Sequence, residues 1–337
     1  MSTPLDPAAR FLPPAANPIR VGAGQRFGPA AQDAIAAFEY GVSEHIGTIL
    51  FTDRQYTWDE PVVIPEEQTF GVFGQGGMGI PKTTGTLIQP SANFSGDTLL
   101  TYGNRPTPTY SIAGVRRGNV FAGLYFHGGN VPLRAVVDLT NPEGSTCNVW
   151  SLCSFDPGSA PAQFSAIFDG NEDSVLWYCN SHGYAKVRSP IRFDAYGGQF
   201  QVVGGAYDCP FQAGFQSAYF DNWVTSGGLQ MVHATIPQPT AAFVNVTGNK
   251  PALAGTPLIG NSSGRPLFVQ IIGGLFHEIG GTPFFASRSP QDLFTIYEVG
   301  SVFIADDHLA TPIFDPRFPA QLAEWKPSSL INGVFKP

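Results

Sequence analysis

An all-β protein built as a right-handed parallel β-helix is the fold that this sequence predicts, and three observations support it. Charged residues make up only 13% of the 337 residues, about half of their share in an ordinary soluble domain. Glycine and proline are abundant, with 39 and 30 copies, which is typical of turn-rich β proteins. Short apolar steps also recur along the middle of the chain at a nearly constant interval.

The composition argues against several classes of protein. The apolar content of 43% is too high for a disordered chain, and no stretch approaches the roughly 18 apolar residues of a membrane span. The formal net charge of -8, with Lys and Arg scattered along the chain, argues against a nucleic-acid partner. The first residues, from Met1 onward, lack the basic and apolar regions of a secretory signal, so we expect no export by that route.

The N-terminal residues 1–27 predict an extended arm, because prolines interrupt a run of small residues there. From Pro29 the pattern changes, and the residues up to Gly41 predict one short amphipathic helix. The side chains that this helix would bury are Ala34, Ile35 and Phe38.

Four short strands are predicted after the helix, at residues 47–51, 56–58, 62–64 and 70–73, where apolar runs are separated by turn residues. The order of a helix, Gly-Thr-Ile-Leu-Phe, Tyr-Thr, Pro-Val-Val-Ile-Pro and Val-Phe-Gly-Gln-Gly resembles the entry segment of pectate-lyase-like β-helix proteins. That family includes bacteriophage tailspikes and tail fibres. The resemblance covers residues 30–90 and implies that the helix caps the end of a stack of coils.

The middle of the chain repeats one step, a short apolar strand that ends in aspartate or asparagine. The end residues are Asp138, Asp169, Asp194, Asp221 and Asn245, at intervals of 31, 25, 27 and 24 residues. A second series of triplets falls between them, centred on Tyr125, Trp150, Trp177, Gln201, Gln230 and Gln270. Two interleaved series with one shared period predict that each coil stacks on the one before at about 4.8 Å.

The centres of the second series are predicted to face outward as one column, because side chains alternate along a strand. The three aromatic centres would offer flat apolar platforms, and the three glutamines would continue them as hydrogen-bonding rungs. Such a strip suits a glycan, since sugars have apolar faces rimmed with hydroxyls. Burial against a neighbouring subunit is the alternative, because aromatic residues are also enriched at interfaces.

The aspartates allow a catalytic and a structural interpretation. Carboxyl groups on neighbouring rungs would lie about 5 Å apart, a separation that suits cleavage of a glycosidic bond, so Asp169, Asp194 and Asp221 are candidate catalytic residues. Alternatively, each aspartate ends its strand by bonding the turn backbone, a role that Asn245 can also fill. The turn role is favoured because a catalytic residue need not recur in every coil.

Two motifs that are typical of enzymes are flanked by elements that do not fit the corresponding enzyme sites. The GxGxxG string at residues 74–79 is not followed by a helix, so it does not form a dinucleotide site. The GxSxG string at residues 260–264 leads into a strand, so Ser262 is not a nucleophile.

The cysteines have no metal-binding spacing and are predicted to be buried free thiols. They are Cys147, Cys153, Cys179 and Cys209. We therefore predict no cofactor and no metal.

Residues 28–308 are thus predicted to form the capping helix and the β-helix, and residues 309–337, rich in proline and aromatic residues, an extended strap. The resemblance implies a bacteriophage virion protein of tailspike or minor tail type, exposed on the particle after assembly in the host cytoplasm. It also implies a homotrimer that is fixed to other tail proteins through the N-terminal arm and binds host surface polysaccharide. The alternatives are a polysaccharide lyase or glycoside hydrolase of the same fold that uses lateral carboxylates, and a purely structural or decorating virion subunit.

Overall fold

The protein is predominantly β, with parallel sheets and one α-helix in the residues that the structure describes. The structure is a computed structural model. It describes residues 17–65, 68–75, 85–102, 116–139, 145–146, 148–160, 164–169, 171–172, 174–181, 189–194, 199–203, 206–207, 212–213, 228–232, 235–236, 259–261, 267–273, 275–278, 283–287, 290–291, 293–305, 311–318, 320–331 and 333–334.

Three long sheets, which we name A, B and C, contain most of the strands. Sheet A has 11 strands: Ile19–Val21, Thr48–Phe51, Gly71–Phe73, Val120–Ala122, Val149–Ser151, Ser174–Trp177, Gln199–Val203, Gly228–Val232, Leu267–Ile272, Phe294–Val299 and Gln321–Lys326. Sheet B has 10: Gln55–Trp58, Thr86–Pro90, Leu124–His127, Ser154–Asp156, Asn180–Ser181, Ala206–Tyr207, Thr235–Ile236, Leu275–Glu278, Val302–Ala305 and Ser329–Ile331. Sheet C has six: Val62–Ile64, Leu100–Tyr102, Val137–Asp138, Phe164–Asp169, Ser189–Asp194 and Gln212–Ala213.

Smaller sheets lie outside the three long ones. One has three strands, Arg116–Arg117, Ser145–Thr146 and Asn171–Glu172. Two others are pairs, Ile259–Asn261 with Phe285–Ser287 and Thr311–Pro312 with Gly333–Val334.

The chain visits the three long sheets in turn. A strand of sheet A is followed by one of sheet B and then, up to residue 213, by one of sheet C, before the chain returns to sheet A. Each strand pairs in parallel with the strand of the same sheet one turn earlier, as Trp150 does with Phe121. A parallel pair needs a long crossover between its strands, and the other two sheets supply it. This topology is compatible with a β-helix-like fold, with three strands per turn where two series were predicted.

Side chains alternate between the interior and the outer surface, as the two-residue period of a strand requires. Buried and half-buried residues alternate along both Thr86–Pro90 and Phe294–Val299. The interior column of sheet A begins with Ile19, Ile49, Val72, Phe121, Trp150 and Leu176. These residues belong to one hydrophobic cluster that also includes side chains from sheets B and C and from the helix. Burial of this apolar surface is the main force that holds the stack together.

The helix Ala31–Glu44 confirms the predicted helix and packs on the first strands of sheets A and C, at the N-terminal end of the stack. Phe38 is fully buried and meets the ring of Phe70 edge-on, with centroids 5.0 Å apart. Gly41 lies inside the helix and does not end it. A Cβ atom at this position would come within 2.8 Å of Cε1 of Phe70, so the close packing explains the glycine. The helix ends at His45, which adopts a left-handed conformation with φ 56°.

Residues near both ends of the chain belong to the stack. Ile19–Val21 pairs with sheet A, which differs from the extended arm predicted for residues 1–27; residues 1–16 lie outside the described part. Near the C-terminus, Gln321–Lys326 and Ser329–Ile331 extend sheets A and B, where an extended strap was predicted. The tail forms a further turn because its aromatic residues pack on the body of the protein. The Trp325 ring, for example, stacks at 5.2 Å from that of Phe303.

Candidate functional site

The predicted outward column is divided between two sheets. Gln201, Gln230 and Gln270 are register partners in sheet A, as their shared period predicted, and Tyr297 is the partner of Gln270 in the next turn. Tyr125 instead lies in sheet B. The sheet A strand of that turn is Val120–Ala122. Both segments are short and apolar, so the period alone could not decide which of them stacks on the glutamine series.

Trp150 faces the interior, which corrects the outward position predicted for it. It is 1% exposed, and its ring stacks on that of Phe121 with centroids 3.9 Å apart and an interplanar angle of 11°. Its partner in the next turn is Leu176, and Trp177 pairs with Ser151. The prediction placed these two triplets one residue out of register, and a slip of one residue turns every side chain to the opposite face.

Trp177 and the residue that follows it form an exposed aromatic pair, which we name the aromatic corner. Trp177 ends its strand in sheet A and is 48% exposed, and Tyr178 is 40% exposed. Their rings meet with centroids 5.8 Å apart at an interplanar angle of 64°. Two aromatic rings that lie side by side at the surface offer apolar area together with an indole N–H and a phenol hydroxyl for hydrogen bonds. The sequence pattern indicated Trp177 but not Tyr178 as an exposed aromatic residue.

The backbone at the aromatic corner is strained. Tyr178 turns the chain from sheet A to sheet B with φ 48°, and Leu152 makes the same turn one coil earlier with φ 55°. Glycine fills this place at Gly123, where φ is 67°. The corners are tied together by main-chain hydrogen bonds, since the N–H of Leu152 donates to the carbonyl of Trp177 at 3.0 Å. A residue other than glycine in this region costs about 1–3 kcal/mol, and such strain is concentrated at functional sites.

The outer surface of sheet B beside the corner is lined mostly by polar side chains, of which the sequence pattern pointed only to Tyr125. We name this surface the sheet B face. Over five successive turns it consists of Gln55, Thr57, Leu87, Gln89, Tyr125, His127, Ser154, Asp156 and Asn180, of which Ser154 is buried. Asn180 lies two residues after Tyr178, so the aromatic corner and the sheet B face adjoin. The alternation in these strands was a usable signal, but segments of two to five residues are too short for a secure choice between the two faces.

A hydrogen-bonded cluster lies near the middle of the sheet B face. The Tyr125 hydroxyl donates to Oδ2 of Asp156 at 3.0 Å, and the Gly158 N–H donates to Oδ1 at 2.8 Å. The Nε2 atom of His127 lies 3.7 Å from the same Oδ2. The Gly129 N–H donates to Nδ1 of His127 at 3.0 Å. A neutral imidazole that accepts at Nδ1 carries its proton on Nε2, which here points toward the carboxylate.

The repeated aspartates do not form one continuous row. Asp169 and Asp194 are register partners in sheet C, as predicted. Asp138 pairs with Ile167, two residues before Asp169, and it forms an ion pair with Arg134. The strand that follows Ser189–Asp194 in sheet C is Gln212–Ala213, and Asp221 lies outside the described residues. The recurring aspartate step therefore shows the period of the stack, but the aspartates do not all occupy equivalent register positions.

Glu298 occupies an interior position of sheet A, in register with Ile271, and is fully buried. Its Oε1 atom accepts a hydrogen bond from the Ser301 N–H at 2.7 Å, whereas Oε2 is buried with no hydrogen-bond partner among the described residues. Burial raises the pKa of Glu298, and hydrogen bonds from Ser301 and from the Lys326 main chain oppose this only in part. The carboxyl group affects stability and is too deep to contact a ligand at the surface.

Cys153 and Cys179 are buried free thiols, as predicted. The Cys179 thiol donates to the carbonyl of Trp150 at 3.4 Å. Burial raises the pKa of Cys179, and the neighbouring Cys153 thiol raises it further. A thiol that is buried and protonated at neutral pH is a poor nucleophile and a poor metal ligand. Cys147 and Cys209 lie outside the described residues.

Within the described residues, no three His, Cys, Asp or Glu side chains converge as metal ligands. In the same part of the chain, no helix has both the length and the apolar character needed to cross a bilayer. Comparison of the chain with protein families, with curated proteins and with solved structures finds no match. The aromatic corner and the sheet B face are therefore interpreted from their own chemistry.

Proposed function

We propose that this chain is a right-handed parallel β-helix protein that binds host surface glycan through its lateral face, as a bacteriophage virion protein of tailspike or minor tail type. The strand order supports the β-helix, because every strand of sheets A, B and C pairs in parallel with its equivalent one turn away. The right hand follows from the general preference of such crossovers, about 98% of which are right-handed.

The exposed aromatic corner is the observation that carries the binding function. Trp177 and Tyr178 are 48% and 40% exposed, although the other large aromatic side chains that the structure describes are mostly interior, as Trp58, Trp150 and Phe155 are. Aromatic side chains are enriched at binding interfaces, and Trp and Tyr combine apolar area with a group that forms hydrogen bonds. Sugar rings stack on such platforms, and the adjoining sheet B face supplies hydroxyl, amide and carboxylate groups for the sugar hydroxyls.

The virion role rests on the resemblance of residues 30–90 to the entry segment of tailspike-type proteins. The helix and the first strands lie in the order which that resemblance implies. In this role the protein is a homotrimer whose N-terminal residues attach it to other tail proteins. Cys153 and Cys179 are free thiols, so strand pairing and core packing, and not a disulfide between them, make that region rigid. Such rigidity suits a rod exposed outside the cell.

Polysaccharide cleavage is the second candidate function, and the register pairing of Asp169 with Asp194 favours it. Paired residues on neighbouring rungs are about 4.8 Å apart, close to the separation of the two carboxyl groups in retaining glycosidases. Incubation of the full chain with a bound polysaccharide tests this function. New reducing ends or unsaturated products would establish cleavage, and binding without products would exclude it for that polysaccharide.

The double variant Trp177→Ala, Tyr178→Ala is expected to bind polysaccharide at least about tenfold more weakly than the wild type, a loss of about 1.4 kcal/mol. Removing both rings removes the stacking platforms and leaves the interior unchanged. Affinity is measured on an array of microbial surface polysaccharides with the full chain. The matched control is Ile331→Ala, which removes another exposed apolar side chain, 43% exposed, in the last turn of the stack.

The oligomeric state of the double variant separates binding from assembly. Light scattering should give the wild-type mass, because the corner is assigned to glycan contact. A variant that loses its oligomeric state would show that the aromatic corner is a subunit interface. Unchanged glycan binding by a variant with the wild-type mass would refute the assignment as well.

A further inference from the structure

We propose that the cluster of Tyr125, His127 and Asp156 is a sugar subsite that selects glycans without acidic groups. This inference rests on the proposed function and adds a substrate class to it. The three side chains lie on two adjacent strands of sheet B, and His127 and Asp156 are register partners. Their functional groups converge on Oδ2 of Asp156, at 3.0 Å from the Tyr125 hydroxyl and 3.7 Å from Nε2 of His127.

The carboxylate of Asp156 is the only formal charge that the nine residues of the sheet B face carry when His127 is neutral. Among the residues that the structure describes, no lysine or arginine lies within ion-pair distance of Asp156. An anionic sugar placed here would meet an uncompensated like charge near the surface of a protein with a formal net charge of -8. Like charges at such short range repel each other even where solvent partly screens them.

Neutral sugars fit the same groups. A carboxylate accepts hydrogen bonds at two oxygens, and charge-assisted hydrogen bonds are stronger than neutral ones. Asp156 is 14% exposed at its side chain and His127 is 31% exposed, so a ligand hydroxyl can reach both from the solvent side. Gln89 and Asn180 on the same face add amide donors and acceptors. These groups recognise hydroxyls and acetamido groups, and none of the nine residues of the face is a lysine or arginine that could pair with a carboxylate, phosphate or sulfate.

The cluster and the aromatic corner are close enough to hold one chain of sugars. Tyr125 pairs with Ser154, and Ser154 pairs with Asn180, which lies two residues beyond Tyr178. The strand of Asp156 pairs directly with that of Asn180, and the strand of Tyr125 lies one rung further, so the two groups are separated by one to two rungs, or about 5–10 Å across the sheet. A polysaccharide that stacks on Trp177 and Tyr178 can therefore extend over Asp156 without leaving the outer surface.

The test compares the wild type, Asp156→Asn and Glu39→Gln on one array that carries neutral and acidic microbial polysaccharides. Glu39→Gln is the matched control, because it removes the same charge from an exposed site on the helix. We expect the wild type to bind neutral members. Asp156→Asn should weaken that binding at least about tenfold and improve the binding of acidic members, and Glu39→Gln should change neither.

Binding of acidic members alone by the wild type would overturn the selection for neutral sugars and leave the proposed function standing. Equal affinities of Asp156→Asn and Glu39→Gln for the neutral ligand would overturn the subsite. Absence of binding to every member would overturn the proposed function and this inference with it. If Asp156→Asn does not fold, Tyr125→Phe replaces it, since it removes only the hydroxyl that contacts Asp156. Wild-type affinity of Tyr125→Phe would then count against the subsite.

Discussion

Trp150→Ala is expected to lower the free energy of unfolding by about 3–5 kcal/mol. Trp150 is 1% exposed and fills the space between aromatic side chains of its own turn and of the turn before it. Its ring stacks on Phe121 at 3.9 Å and approaches Phe155 at 5.4 Å and Phe168 at 5.5 Å. Alanine would leave a cavity that a stack of short strands cannot close without shifting the neighbouring turns. Urea denaturation followed by circular dichroism measures the loss.

Trp177→Ala is the matched control for this substitution. The two tryptophans lie on adjacent strands of sheet A, but Trp177 is 48% exposed, and surface substitutions usually change stability by no more than about 0.5 kcal/mol. Equal losses of stability for the two variants would contradict the register in which Trp150 pairs with Leu176 and faces the interior.

Glu298→Gln is expected to raise the free energy of unfolding at neutral pH by about 1–3 kcal/mol, because a neutral amide costs less to bury than an ionised carboxylate. The carboxyl group is fully buried, and burial raises its pKa in the folded state above the ordinary value of 4.5. Its contribution to stability is therefore fully present below the pKa of the unfolded state. That contribution is lost as the pH rises through the pKa of the folded state, because ionisation then favours the unfolded chain.

The pH dependence distinguishes this effect from a simple change in packing. Urea denaturation at several pH values should show little difference between Glu298→Gln and the wild type in acid, and a difference that grows toward neutral pH. Glu39→Gln, on the exposed surface of the helix, should follow the wild type throughout. A constant difference at all pH values would refute the role assigned to the charge of Glu298.

The features that the sequence predicted well are those set by strong local patterns. The helix was marked by Pro29 and by apolar spacing, and the structure has it at Ala31–Glu44. The glutamines at 201, 230 and 270 are equivalent because the strands that carry them recur with one period, and they are register partners. A repeated coil imposes its period on the sequence, so the period can be measured without knowledge of the contacts.

The features that the sequence did not predict depend on which segments stack on one another and on which face of the strand each side chain lies. Each turn contains three short strands, and a period shared by all three does not show which segments stack; Tyr125 was therefore assigned to the wrong series. Trp150 was assigned to the wrong face because its triplet, Val-Trp-Ser, has apolar residues at two adjacent positions and so fits either register. Tyr178, His127 and Asp156 lie at a corner or on strands of three or four residues, where alternation is too brief to read.

The most direct test of the proposed lateral glycan site is the solvent accessibility of Trp177 with and without polysaccharide. Trp177 is exposed, whereas Trp58 and Trp150 are buried, so the fluorescence component that acrylamide quenches in the wild type and that is absent from Trp177→Phe belongs to Trp177. We predict that a bound polysaccharide shields this component from acrylamide. Unchanged quenching of Trp177 while the polysaccharide remains bound would contradict the proposal.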